Sequence, residues 1–346
     1  MASGHLSLAP LVLLSLVLLV FGGVTAALTA LYMAESILRP PRMSDGKALY
    51  LLKRLAPDDL GLPYERVIFT VRDERTGRPL SLAAWWVPCE AEGMSPNEPK
   101  SDRCAVLVHG YADAKVGAIA WAPLWHELGY NLLVPDLRAH GESGGKFTTA
   151  GFFERHDLVQ VINQTRAERP AETRQIVLFG ASMGAVVAAA TAVEMGPNEV
   201  SAVVLESPMA DMRNAISAHI DRLGLPGGLI RSAALWLGQL MSGVRFADIR
   251  TVDLLARLSC PVMVISPPRD VYLLPGDAEA IRTAVAARTA AGGADCYWLT
   301  DNAEHLTAIV CDPAEYRRRV AVFLAKVIHE HTQPGTVANT EKANSG

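Results

Sequence analysis

Ser182 stands between two glycines in Gly180-Ala181-Ser182-Met183-Gly184, where the apolar run IVLF gives way to the alanine-rich AVVAAATAVEM. A G-x-S-x-G pattern set between a strand and a helix is the sequence form of a sharp turn that strains one serine and lifts its Oγ above a sheet. The glycines keep neighbouring backbone from colliding, and the N-terminus of the following helix favours developing negative charge. The five-residue pattern is a weak signal alone. Its strand-to-helix context carries the expectation that Ser182 is a nucleophile.

A serine hydroxyl attacks poorly at neutral pH unless a histidine takes its proton and an acid orients that histidine. Among nine histidines, His305 is the expected base, because TDNAEHLTAIVCDPAEY puts it between the last predicted strand and the final helix. His109 and His140 belong to other motifs, and His5, His329 and His331 lie in terminal segments. Asp270, in the loop PPRDVYLLP after the strand PVMVIS, is the expected acid. Glu206, which ends the strand SAVVLES, stays open as an alternative acid, while Asp301 reads as a loop cap. A tetrahedral oxyanion also needs donors. The backbone N–H groups of Met183 and Tyr111 are expected to supply them, with His109 holding the loop.

These loops need a sheet to carry them. From Cys104 onward, short runs rich in Val, Ile and Leu (CAVLVHG, NLLVPD, QIVLFG, SAVVLES, CPVMVIS, ADCYWLT) alternate with helical patterns. Strands buried on both faces read this way, and alternating β and α units imply a mostly parallel sheet with right-handed crossovers. A hairpin precedes them, in ERVIFTVRDERTGRPLSLAAWWVP, with its turn at Thr76-Gly77-Arg78-Pro79. The fold class is therefore α/β, with about eight strands and helices on both faces. The polar, proline-punctuated EAEGMSPNEPKSD reads as a surface loop. About fifty strand-free residues separate VLESP from CPVMVIS and hold two helix-like patterns around Leu225-Pro226-Gly227-Gly228, which predicts a helical lid over about 209–258.

The other end of the chain has a different character. Residues 6–34 contain no charged side chain, which is long enough to cross a bilayer as a helix. An uncleaved anchor over 1–36 is expected, followed by a linker over 37–64, the main domain over 65–330 and a disordered tail over 331–346. Small residues at Val24-Thr25-Ala26 would suit a signal peptidase, but no Lys or Arg precedes the run and its apolar stretch continues past that site. Arg39, Arg42, Lys47, Lys53 and Arg54 all follow it. The positive-inside rule then puts the body in the cytoplasm, whereas many anchored enzymes face outward, and both sides stay open. ALYLLKRL, within the linker, has a short amphipathic pattern.

Composition excludes other classes. Half the residues are hydrophobic and 20% charged, as in a globular fold, and a net charge of -4 gives no reason to expect nucleic acid as a partner. Five cysteines (Cys89, Cys104, Cys260, Cys296, Cys311) lack metal-ligand spacing, so neither a metal nor another cofactor is expected. Cys89 and Cys104 would pair only in an oxidising compartment, and free thiols are equally expected.

The motifs VLVHGY, PDLRAHGESGG, FGASMG, SPPRD and NAEHLTAIVCDPAEYRRRVAVFL together resemble a serine α/β-hydrolase of the bacterial membrane-anchored type, similar to the serine aminopeptidase S33-like (hydrolase-4) group. The resemblance covers about 67–325. It implies the nucleophile, acid, histidine order seen here in Ser182, Asp270 and His305, and it gives Asp136 and His140 a structural part beside the site. Two departures stand out: Ser266-Pro267 replaces a His-Gly common before the acid, and Glu304 replaces a glycine common before the histidine. The expected activity is hydrolysis of a small-molecule carboxylic ester through an acyl-enzyme, using a Ser-His-Asp triad. The alternatives are an S33-type aminopeptidase or amidase, or a non-catalytic binding module on the same scaffold.

Overall fold

A computed structural model describes residues 9–89, 101–222 and 228–332. Among these, eight strands form one sheet: β1 (Glu65–Arg72), β2 (Pro79–Val87), β3 (Arg103–Val108), β4 (Asn131–Pro135), β5 (Gln175–Ala181), β6 (Ala202–Glu206), β7 (Val262–Ser266) and β8 (Cys296–Leu299). Their spatial order is β1-β2-β4-β3-β5-β6-β7-β8, with β2 antiparallel to both neighbours and the other pairs parallel. The central strands carry continuous Val, Ile and Leu because helices cover both their faces. The opening hairpin turns where its sequence places Gly77, at φ +67°, and is closed by the Asp73 N–H donating to the Arg78 carbonyl at 2.8 Å.

Among the described residues twelve α-helices accompany the sheet: α1 (Ala9–Leu38), α2 (Asp45–Leu52), α3 (Lys115–Ala118), α4 (Ala122–Glu127), α5 (Glu154–Glu168), α6 (Met183–Met195), α7 (Met212–Arg222), α8 (Gly228–Ser242), α9 (Thr251–Arg257), α10 (Asp277–Ala290), α11 (Ala308–Cys311) and α12 (Pro313–Thr332). One apolar core holds α5, α6, α9 and α10 against the sheet. The other packs Trp121, Trp125 and the α12 residues Tyr316, Val320 and Phe323 on the opposite face. ALYLLKRL contributes α2, which buries only Ala48.

The strand-free interval is a closed excursion. Its ends are tied by the Met212 N–H to the Ile249 carbonyl (3.0 Å) and the Thr251 N–H to the Ala210 carbonyl (2.9 Å), with α7 and α8 between. The expected separator Leu225-Pro226-Gly227 falls outside the described residues, while Gly228 opens α8; the expected surface loop, over 90–100, and the expected tail, from 333 onward, fall outside them too. His331 and Thr332 belong to α12.

Helix α1 changes environment along its length. Its apolar side chains are exposed through most of the first two thirds, whereas Ala30, Met33, Ala34, Ile37 and Leu38 enter the same core as Met183 and the α8 residues Ala234 and Leu235. The helix runs past 36 without a break. All five cysteines are free thiols, with Cys89 and Cys104 both buried.

Candidate active site

The turn at Ser182 follows from its neighbours. Ser182 has φ +56° and ψ -119°, a conformation that costs about 1–3 kcal/mol and persists only when its surroundings fix it. Its N–H donates to the Glu206 carbonyl at 2.9 Å and its carbonyl accepts from the Ala185 N–H at 2.9 Å, so β6 and α6 hold both sides of the residue. A Cβ on Gly184 would come within 2.2 Å of the Val108 carbonyl oxygen, and one on Gly180 within 2.2 Å of the Gly184 oxygen. Only glycine lets α6 start that close to the ends of β3 and β5. The Ser182 Oγ, half-buried, has one weak contact with the Met209 sulfur at 3.9 Å.

His305 lies beyond β8 on a loop that returns to the loop after β7. Its Nδ1 is 2.7 Å from Asp270 Oδ2, and Asp270 Oδ1 accepts from the Tyr272 N–H at 2.9 Å. Burial pushes the Asp270 carboxyl up, but the hydrogen bond and charge of His305, with the Tyr272 N–H, outweigh it and hold the group below the ordinary carboxylate value. The Tyr272 ring sits 4.6 Å from the His305 ring, and the Arg222 guanidinium lies 4.9 Å over Tyr272. Register explains the meeting. Ala181 pairs with Glu206, Glu206 with Ile265, and Ser266 with Leu299, so β5 to β8 end at one edge and their loops leave on the same side.

The alternative acid is committed elsewhere. Glu206 is fully buried, and its Oε2 accepts from Trp121 Nε1 (3.0 Å) and the Tyr316 hydroxyl (2.7 Å) on the α12 face of the sheet. Burial raises its carboxyl to about 7 despite those donors. Asp301 is exposed, and so is Glu304.

The loop after β3 meets Ser182 from the other side. A Cβ on Gly110 would stand 3.3 Å from the Ser182 Cβ, which puts the backbone entering Tyr111 beside the serine. Met183 begins α6, so its N–H has no partner within the helix. His109 uses both ring nitrogens on the loop: Nδ1 faces the Gly110 carbonyl at 2.8 Å, and Nε2 accepts from the Leu137 N–H at 3.0 Å. Burial lowers its pKa well below the usual histidine value, which keeps the ring neutral. Asp136 braces the neighbouring turn by accepting from the Lys115 N–H (2.7 Å) and the Glu142 N–H (2.9 Å). His140 Nδ1 lies 2.9 Å from the Arg138 carbonyl.

Four neighbours of this site carry no sequence signal. Met209 reaches Ser182, and His219 on α7 stacks edge-on against Tyr111 at 5.8 Å. The Tyr111 hydroxyl donates to the Ser36 carbonyl of α1 at 2.6 Å. Arg42 donates to the carbonyls of Gly141 (2.7 Å) and Ser143 (2.6 Å), clasping the turn that contains His140. Contacts to main-chain carbonyls across such sequence distances leave no pattern in side-chain types.

Residues 99–336 match the family described as Serine aminopeptidase, S33 (Hydrolase_4). The chain is 24% identical over 220 residues to the uncharacterized protein YqkD of Bacillus subtilis (strain 168), covering 63% of this chain and 70% of that relative. The solved Pyrococcus furiosus esterase Pf2001 superposes with a TM-score of 0.65 at 26% identity, covering 84% of this chain and 98% of that one. An acylaminoacyl peptidase from Pyrococcus horikoshii, at 13% identity and a TM-score of 0.53, covers 83% of this chain and 44% of its own, and shares the fold. A family match over more than two thirds of the chain, on a sheet of this order, means that the protein belongs to the serine aminopeptidase S33 family and is a hydrolase of the α/β-hydrolase fold.

Proposed function

We propose that the protein is a serine hydrolase that cleaves a carboxylic ester through an acyl-enzyme. The observation that carries this reading is the 2.7 Å contact between His305 Nδ1 and Asp270 Oδ2 at the sheet edge where the Ser182 turn projects. With Nδ1 held by the carboxylate, Nε2 is left to accept a proton. Ser182 Oγ attacks the carbonyl carbon as His305 takes its proton. The oxyanion is met by the N–H groups of Met183 and Tyr111. Collapse breaks the carbon–oxygen bond, and the imidazolium returns the proton to the leaving alcohol. Water, deprotonated by His305, then attacks the acyl carbon, the bond to Ser182 Oγ breaks as the imidazolium returns its proton to Oγ, and the carboxylic acid leaves. Asp270 stays ionised throughout and stabilises the imidazolium.

An aminopeptidase would need a carboxylate at the pocket to hold a substrate amine. Glu206 is bound to Trp121 and Tyr316 under the sheet, and Glu304 points to solvent, so neither favours that reading. The structurally similar Pyrococcus furiosus protein is an esterase, which agrees with the ester assignment.

Labelling with a fluorophosphonate and turnover of nitrophenyl esters test the chemistry. Ser182→Ala should abolish labelling and lower kcat on the order of 10⁶-fold. Labelling equal to wild type would remove Ser182 from the mechanism. We also assign α1 as a membrane anchor, since its 30 residues span about 45 Å at 1.5 Å per residue and its apolar side chains are mostly exposed. Alkaline carbonate should leave the full chain in the membrane pellet. Release into the supernatant would refute the anchor.

A further inference from the structure

We propose that the lid helix α8 is a second membrane contact, its Leu229, Trp236 and Leu240 stripe seating in the headgroup region of the bilayer that α1 crosses. The proposal rests on the anchor reading of α1. The stripe is one face of a helix, because positions 229, 236 and 240 fall within a narrow arc at 100° per residue. These side chains are 88%, 61% and 64% exposed, and α8 carries one charged residue, Arg231. The opposite face, with Ala234, Leu235 and Gly238, is buried.

Depth along α1 fixes what covers the stripe. The most exposed aliphatic residues run from Leu11 to Leu28, about 27 Å of helix, close to the roughly 30 Å hydrocarbon core, with Leu31 less exposed one turn further on. Charge returns at Glu35, paired with Arg39 at 3.5 Å. Between them lie the interfacial turns, with Tyr32 exposed outward and Ala30, Met33 and Ala34 buried inward. Helix α8 packs on α1, and these last turns are the part of α1 that shares a core with Ala234 and Leu235. The lid helix therefore sits at headgroup depth, where Trp and Tyr side chains are favoured because their rings are partly polar. Trp236 is the exposed tryptophan among the described residues, and Tyr32 is exposed in the stretch of α1 between its apolar run and Glu35. The corner also touches the proposed site, since Tyr111 meets both Ser36 of α1 and His219 of α7.

The test uses the full chain reconstituted in phosphatidylcholine vesicles, with Trp236→Phe subtracted to isolate the emission of Trp236. Quenching by lipids brominated on the acyl chain, together with several-fold weaker quenching by aqueous iodide than for a free tryptophan amide, is the expected result. Leu229→Glu combined with Leu240→Glu should reverse both readings while turnover of a short soluble ester stays at the wild-type level. An anchored chain whose Trp236 is fully open to iodide overturns the proposal without touching the anchor or the ester chemistry. Shielding that disappears when each nanodisc holds a single copy also overturns it, and assigns the stripe to a second copy of the chain. Failure of the anchor itself is seen separately, as protein lost from the vesicles.

Discussion

Two buried carboxylates stand at neighbouring strand ends, and their surroundings give them opposite properties. Asp270, after β7, accepts from the His305 ring and the Tyr272 N–H, and its carboxyl lies below the ordinary value although burial opposes this. Glu206, ending β6, also accepts two hydrogen bonds, from Trp121 and Tyr316, yet its carboxyl is raised to about 7. The count of donors is the same. The difference is that an imidazole can become a cation, whereas an indole N–H and a phenol stay neutral and cannot offset the burial of a charge. The other Glu206 oxygen, Oε1, has no partner among the described residues, which adds to that cost.

Exchanging the charge at each position should break this comparison cleanly. Asp270→Asn is expected to lower kcat about 10⁴-fold, because the amide leaves His305 in the wrong tautomer and the imidazolium unpaired. Glu206→Gln should leave kcat close to wild type, measured on the same nitrophenyl ester. The reverse pattern would move the acid under the sheet and end the assignment of Asp270.

Stability sharpens the contrast from the other side. A carboxyl raised from 4.5 to about 7 favours the protonated fold, so its contribution is complete below pH 4.5 and is lost as pH rises towards 7. The loss is on the order of 3 kcal/mol. Denaturant unfolding at pH 5 and pH 8 should show a smaller loss of stability at the higher pH in Glu206→Gln than in wild type, the difference between the two being the Glu206 contribution. Asp270 has the opposite sign. Its lowered carboxyl contributes stability above its unfolded value, and that contribution is lost as pH falls through the folded one.

Much of the sheet is legible because buried parallel strands must be apolar and continuous, which a single sequence displays directly. The Ser182 turn is legible for a related reason: a Cβ at Gly180 or Gly184 would fall 2.2 Å from a backbone oxygen, so steric need is written as residue type. Sequence order could not separate Glu206 from Asp270, since both follow strands at the same edge. What separates them is direction, with Glu206 sharing its face with Ala202 and Val204 and meeting Trp121, while Asp270 sits on a loop beyond the strand. Least legible is the corner where α1 enters the core. The apolar run announces its length, but nothing in it marks Ser36 as an acceptor for Tyr111 or Arg42 as a clasp for the 141–143 turn.

That corner yields the smallest expected effect and the finest discrimination. The last carbonyls of a helix lack intrahelical partners, and in α1 two are taken up by the main domain: Ser36 by the Tyr111 hydroxyl and Leu38 by the Thr148 N–H at 2.8 Å. Burial raises the Tyr111 phenol to about 12, so it remains a donor across the neutral range. Tyr111→Phe keeps the ring and the backbone N–H while removing that one hydrogen bond, worth about 1 kcal/mol. Thermal unfolding should move by a few degrees, and kcat should fall less than about tenfold, well short of the 10²- to 10³-fold loss that follows removal of an oxyanion donor. A larger fall would mean that the hydroxyl link to α1 positions the loop, so that α1 takes part in holding the site. No change in either quantity would show that Tyr111 serves through its backbone alone.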